Sequence, residues 1–130
     1  MKVIGILIGV FVVLWIIGGG GTGPYESNLH KTPEELAKIE KEEREFQSAV
    51  VAVRNLKNAM NNPKSFELVD AIFTTEGTLC IVYRASNAFG GIITKNYVVS
   101  DKVSSGTSEA WNRHCANKPG RDLKHIRAVL

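Results

Sequence analysis

Two cysteines, Cys80 and Cys115, are the only thiols in the chain and the first place to look for chemistry. A zinc site would need a second ligand two to four residues from one of them, and neither has a Cys or His at that spacing. A nucleophile and base fare no better. His114 stands next to Cys115, and adjacent residues of a helix point in different directions. What remains is a disulfide, which an oxidising compartment would allow, or a pair of buried thiols. Closing a loop of about 36 residues stabilises a fold by roughly 3 to 4 kcal/mol in the chain-entropy picture, a large share for a small domain.

The other reactive side chains do not converge. His30, His114 and His125 fall in a linker, a helix and a tail, with no carboxylate spaced to complete a triad or ligand set. Glu67, Asp70 and Glu76 lie along one strand, where simple alternation puts Glu67 and Asp70 on opposite sides and so excludes a paired acid and base. Arg84 and Asn87, beside the turn containing Phe89, Gly90 and Gly91, offer donors to an anion. The plainer reading is a strand end followed by a turn-forming Asn. These five residues are the candidate binding positions. Gly18 to Gly23 formally spells a dinucleotide fingerprint, but Pro24 and further linker residues precede any helix, so no amide-lined helix start exists to hold a pyrophosphate. No cofactor and no metal are expected.

The elements that must position these residues are readable from periodicity. Thr32-Pro33-Glu34-Glu35 has the form of a capping box with Pro at the first helical position. Leu36, Ile39, Phe46, Ala49, Val50, Val53, Leu56 and Met60 then recur at helical spacing until Asn62-Pro63 stops the run. A helix of about 28 residues is roughly 42 Å long, too long to bury along its whole length, so residues 33–45 should stand in water as a charged stalk. Strands follow at about 66–74, 79–85 and 92–100, separated by Glu76-Gly77 and by Asn87 to Gly91. They predict an antiparallel three-stranded meander, with Leu79, Ile81 and Tyr83 on one face of the middle strand and Cys80, Val82 and Arg84 on the other. A second short helix is expected over 109–117, with Thr107 or Ser108 as its cap, and a helix-like spacing continues through Leu123, Ile126 and Val129.

The fold class is thus α+β: an N-terminal transmembrane or signal helix, a long helix packed on the meander, and a second short helix. Residues 1–23 form the hydrophobic anchor or signal with its Gly-rich spacer, 24–45 the linker and stalk, and 46–130 the small domain. From Val3 to Ile17 there is no charge or strong polar group. That run, extended by its flanks, approaches the roughly 30 Å of a bilayer core and also fits a signal peptide. The lipid bilayer is the expected partner of residues 3–20. The leading Lys2 orients Met1 to the cytoplasm and the domain to the periplasmic or extracellular side. A cleaved secretory signal and a buried segment of a soluble fold are the alternatives.

The net charge of +3 is too small for nucleic-acid binding. Its distribution is uneven: 34–45 is rich in Glu, whereas 113–127 carries Arg113, Lys118, Arg121, Lys124 and Arg127 against Asp122. Either these are two solvated faces, or the basic one meets anionic lipid or an acidic partner.

Asn62-Pro63-Lys64-Ser65-Phe66, Gly77-Thr78-Leu79-Cys80, Tyr83 through Gly91 and Trp111-Asn112-Arg113-His114-Cys115 together resemble a small domain of exported or membrane-anchored bacterial proteins. The resemblance covers about residues 46–130. It implies that Cys80 and Cys115 belong together and that the anchor is a separable attachment, and it brings no activity. The expectation is therefore a membrane-anchored, non-enzymatic extracytoplasmic binding or structural module with an unknown protein partner. A secreted periplasmic enzyme or enzyme inhibitor is the alternative, and a soluble cytoplasmic domain with free thiols is another.

Overall fold

The computed structural model describes residues 31–130. The anchor or signal segment, the glycine spacer and His30 lie outside the described residues. The chain divides after Leu36, and the sheet with its core belongs to Ala37–Leu130.

Helix α1 runs Pro33–Asn58. Its start is set by two reciprocal bonds: the Thr32 N–H donates to Glu35 Oε2 at 2.8 Å, and the Glu35 N–H donates to Thr32 Oγ1 at 3.2 Å. Both satisfy amides that a helix start would otherwise leave open. Residues through Lys41 are exposed, and the buried positions are Ala49, Val50 and Val53. Pro63–Ser65 form a 3₁₀ turn after the helix.

The sheet strands are β1 (Glu67–Thr74), β2 (Leu79–Ser86), β3 (Ile92–Val99), β4 (Ser104–Ser105) and β5 (Gly120–Asp122), in the order β4-β3-β2-β1-β5. The expected three-stranded meander is its centre, since β1 pairs β2 and β2 pairs β3, both antiparallel. Two short strands widen it to five. Neither carries a hydrophobic repeat, because β4 is two serines and β5 is Gly-Arg-Asp. The helix-like spacing of the tail resolves into β5 followed by a 3₁₀ segment, Lys124–Val129.

The middle strand is apolar on both faces because a helix covers each. Leu79, Ile81, Tyr83 and Ala85 join the main core with Ala49, Val50 and Val53 of α1 and with Leu68, Ala71, Leu123 and Ile126. On the opposite face Cys80 and Val98 form a second cluster with Cys115, and Trp111 and Ala110 of helix α2 (Ser108–His114) pack against it. Thr107 caps α2 by accepting the Ala110 N–H at 3.2 Å. A disulfide joins Cys80 to Cys115 and so staples the end of α2 to β2. That seven-residue helix is too short to persist on its own, and the cross-link holds it to the sheet.

One expectation fails here. The register of β1 slips between Leu68 and Asp70, leaving Val69 as an extra residue opposite β2. A bulge of this kind shifts the alternation by one. Glu67 stands opposite Arg84 and Asp70 opposite Val82, two positions apart on β2, so both carboxylates lie on the same face rather than on opposite faces.

Candidate functional site

The five candidate binding positions come together at the β2–β3 hairpin. Arg84 is an exposed residue near the end of β2, opposite Glu67 on one side and Thr94 on the other. Asn87 builds the turn. Its Oδ1 accepts the N–H of Phe89 at 3.0 Å and of Gly91 at 2.9 Å, while its own N–H donates to the Gly91 carbonyl at 2.7 Å. Gly90 donates to the Asn87 carbonyl at 3.1 Å and holds a φ of 81°, a conformation that costs glycine little. With its oxygen engaged by two amides, Asn87 serves the loop conformation, and Arg84 is the candidate that presents a charge to solvent.

The result is a closed, hydrogen-bonded tip that carries Phe89 at 97% exposure, with Ile92 at 76% just behind it. A mobile loop could fold such a ring inward. This one is held outward by its own backbone bonds. The exposed ring was not legible in the sequence, because Asn-Ala-Phe-Gly-Gly states a turn and not which way its apolar residue points.

A hollow of about 450 Å³ lies along β3, lined by Tyr83, Thr94, Lys95, Tyr97, Gly106 and Ser108 among others. The Tyr83 hydroxyl has its pKa raised, first by burial and then by the neighbouring Tyr97.

A second, larger groove of about 690 Å³ lies between α1 and the far end of the sheet. Ala49 and Ala52 are too small to fill the space above Leu79, Phe73 and Val99, which leaves an apolar floor. The rim mixes Lys38, Lys41 and Arg121 with Glu42, Glu45, Glu76 and Asp101. Arg121 is the organising group: Nη2 meets Glu45 Oε2 at 2.9 Å and the Glu42 carbonyl at 3.2 Å, and Nη1 meets Glu42 Oε2 at 3.4 Å. Its buried Nε has no partner within the protein. The near balance of charge gives this groove no pull on a strongly charged ligand.

The uneven charge of the sequence is largely internal. Arg113 pairs with Glu109, Lys118 with Glu76, Arg121 with Glu42 and Glu45, and Lys124 with Asp122. Arg127 donates to the carbonyl of Val69, the bulged residue of β1, at 3.0 Å. Each of the five basic residues of the 113–127 stretch therefore has a partner in the fold. His125 lies flat on Phe46 with ring centroids 5.0 Å apart, the geometry of a packed ring. Among the described residues no cluster of three or more His, Cys, Asp or Glu side chains could hold a metal ion, and no helix is long and apolar enough to cross a membrane.

No protein-family model, no curated protein and no solved structure matches this chain. The likeness of its motifs to exported bacterial domains rests on those motifs alone.

Proposed function

We propose that the chain is a membrane-anchored, non-enzymatic module that binds a protein partner outside the cytoplasm through the Asn87–Gly91 tip and the adjoining edge of β3. The observation that carries this reading is the fixed exposure of Phe89 beside Ile92. An aromatic ring held in water by a hydrogen-bonded turn keeps its apolar area available for a partner, and large exposed apolar groups next to polar surroundings mark such contacts. Two further features support the location. Cys80 and Cys115 are joined, as oxidising compartments favour, and the uncharged run from Val3 to Ile17 suits lipid as its solvent.

The test is fractionation of cells producing the full chain, with impermeant thiol labelling before and after reduction. The expected outcome is a membrane-bound chain that takes up label from outside only once the disulfide is reduced. A chain in the soluble fraction whose thiols react without reduction would overturn the proposal.

A further inference from the structure

We infer that the partner of the Asn87–Gly91 tip is an acidic segment of another protein, one that takes Phe89 into an apolar cleft and sets carboxylates against Lys64, Arg84 and Lys95; this deepens the binding role proposed above and rests on it. The inference begins with the charge that the fold leaves over. The bases between 113 and 127 are answered inside the protein, whereas those around the hairpin are not. Arg84 and Lys95 are both exposed, Arg84 on the face of the sheet that carries Cys80 and Lys95 opposite Tyr83 on the face of the main core. One cation thus stands on either side of the hairpin. The exposed Lys64 adds a third, because its 3₁₀ turn is tied to the hairpin base: Ser65 Oγ accepts the Ser86 N–H at 3.0 Å, and Asn62 Nδ2 donates to Ser86 Oγ at 3.2 Å. Among the described residues no ion pair involves these three cations. Glu67 faces Arg84 across the β1–β2 ladder without pairing to it, and the stretches 46–72 and 84–99 hold Arg54, Lys57, Lys64, Arg84 and Lys95 against Glu67 and Asp70 alone.

Phe89 and Ile92 are the exposed apolar groups within this ring of charge. An aromatic anchor with charged groups around it has the make-up of a contact whose centre is desolvated and whose rim stays wet. Carboxylates on the partner answer the rim and draw the two surfaces together from a distance, while a cleft that receives the ring delays their separation. The rigidity of the turn favours a protein over a lipid surface. Fluid acyl chains accept a ring at any angle and gain nothing from its being held, whereas a cleft of fixed shape binds more tightly when the ring is already placed. Lipid binding also grows with the apolar area buried, and one ring with one Ile offers little. Three cations are likewise too few to grip a phosphate backbone.

The experiment uses the full chain in the cells that naturally make it, with a photoreactive benzoylphenylalanine in place of Phe89. Irradiation should give an adduct whose cross-linked peptide, sequenced by mass spectrometry, carries more Asp and Glu than Lys and Arg. The same group in place of Val51, an exposed apolar residue of α1, should not give that adduct. The identified peptide is then synthesised and its binding to the full chain in detergent micelles is followed in time. Arg84→Glu combined with Lys95→Glu should slow association about ten-fold at low salt, and the difference should shrink as added salt shortens the range of the attraction. Phe89→Ala should leave association nearly unchanged and speed dissociation about ten-fold. Both variants should keep the Cys80–Cys115 bond and the wild-type circular dichroism spectrum. An adduct with a neutral or basic segment, adducts with lipid alone, no adduct beyond that of the Val51 control, or equal association of the charge-reversed chain would each overturn the inference. These results are separable from localisation: a membrane-bound chain cross-linked to a basic segment removes the acidic partner and keeps the anchored module, whereas an acidic adduct on a chain free in the cytoplasm does the reverse.

Discussion

The two edges of the sheet are closed by very different amounts of chain. Along β1, strand β5 pairs with Ile72–Thr74, the Leu123 N–H bonds the Ala71 carbonyl at 2.7 Å, and Arg127 caps the carbonyl of the bulged Val69. The C-terminal segment thus covers nearly the whole strand, and it buries Leu123 and Ile126 in the main core while doing so. Along β3, the cover is two serines. A sheet tolerates an open edge only when the strand is short, charged or interrupted, and β3 has a single Lys in the stretch left bare. The contrast separates an edge tied into the core from one left largely open: residues closing β1 are buried with it, whereas those beside β3 can be changed with little loss of fold.

The largest effect on this contrast is expected from removing the disulfide. The cross-link adds a covalent tie between the end of α2 and β2, on the side of the sheet where β4 pairs with β3. A Cys80→Ala, Cys115→Ala chain should lose about 4 kcal/mol of unfolding free energy by the loop-closure relation. Hydrogen exchange should rise first at Val98 and across 104–115, ahead of the amides between β1 and β5. Simultaneous opening of both edges would show that the two sides are a single cooperative unit.

Next comes the core side of the closed edge. Leu123 is 1% exposed, so Leu123→Ala leaves a cavity where the C-terminal segment meets β1, and about 3 kcal/mol of destabilisation is expected from comparable truncations. Urea unfolding should show a lower midpoint with an unchanged slope. A loss below about 1 kcal/mol would mean that the segment collapses onto the site and is not anchored by this residue.

Gly120→Ala is a smaller change aimed at the same junction. A Cβ at Gly120 would sit 2.6 Å from the Phe73 carbonyl oxygen and 2.7 Å from Ile72 Cγ2. The carbonyl belongs to a paired strand and cannot swing aside, so β5 must move away from β1 at a cost of about 2 kcal/mol. The amide of Thr75, which donates to the Pro119 carbonyl at 3.1 Å, should exchange faster in this variant. Unaltered exchange at Thr75 would show that β5 accommodates the methyl group without lifting.

How much of this was legible in the sequence varies with how far each feature depends on neighbours in the chain. The start of α1 was, because Thr32 and Glu35 are three residues apart and carry the capping bonds themselves. The central meander was, because Leu79 to Ala85 alternates and Gly77 and Gly90 mark its turns. The second covering helix was foreshadowed by a middle strand with Cys80 opposite in face to Leu79. The bulge at Val69 was not: an extra residue in a strand has no side-chain signature, so the shared face of Glu67 and Asp70 could not be read from spacing. Nor was β5, whose three residues include a glycine and take their place only through β1. Of the candidate site, the turn was readable and the outward ring of Phe89 was not.

The smallest expected effect is electrostatic and lies where β5 hands over to the C-terminal 3₁₀ segment. Asp122 Oδ1 accepts the Lys124 N–H at 2.8 Å, and Oδ2 lies 3.0 Å from Lys124 Nζ. The backbone bond, followed by the side-chain contact, holds the Asp122 carboxyl below its ordinary value, and the same pair raises Lys124. A carboxyl whose pKa is lower folded than unfolded contributes stability above the unfolded value of about 3.9, and that contribution disappears as the pH falls through the folded value. Asp122 is exposed, so solvent screens the ion pair and the effect should be slight at any pH. The wild type should nevertheless be more stable than Asp122→Asn at pH 7, and the two should converge once the pH is low enough to protonate the folded carboxyl, in urea titrations at matched salt. Added salt should shrink the part due to the Lys124 ammonium and leave the backbone part largely in place. A difference that persists unchanged at low pH would assign the role of Asp122 to the shape of the turn and not to its charge, and the closed edge would then owe its hold to Leu123, Ile126 and the β1–β5 ladder.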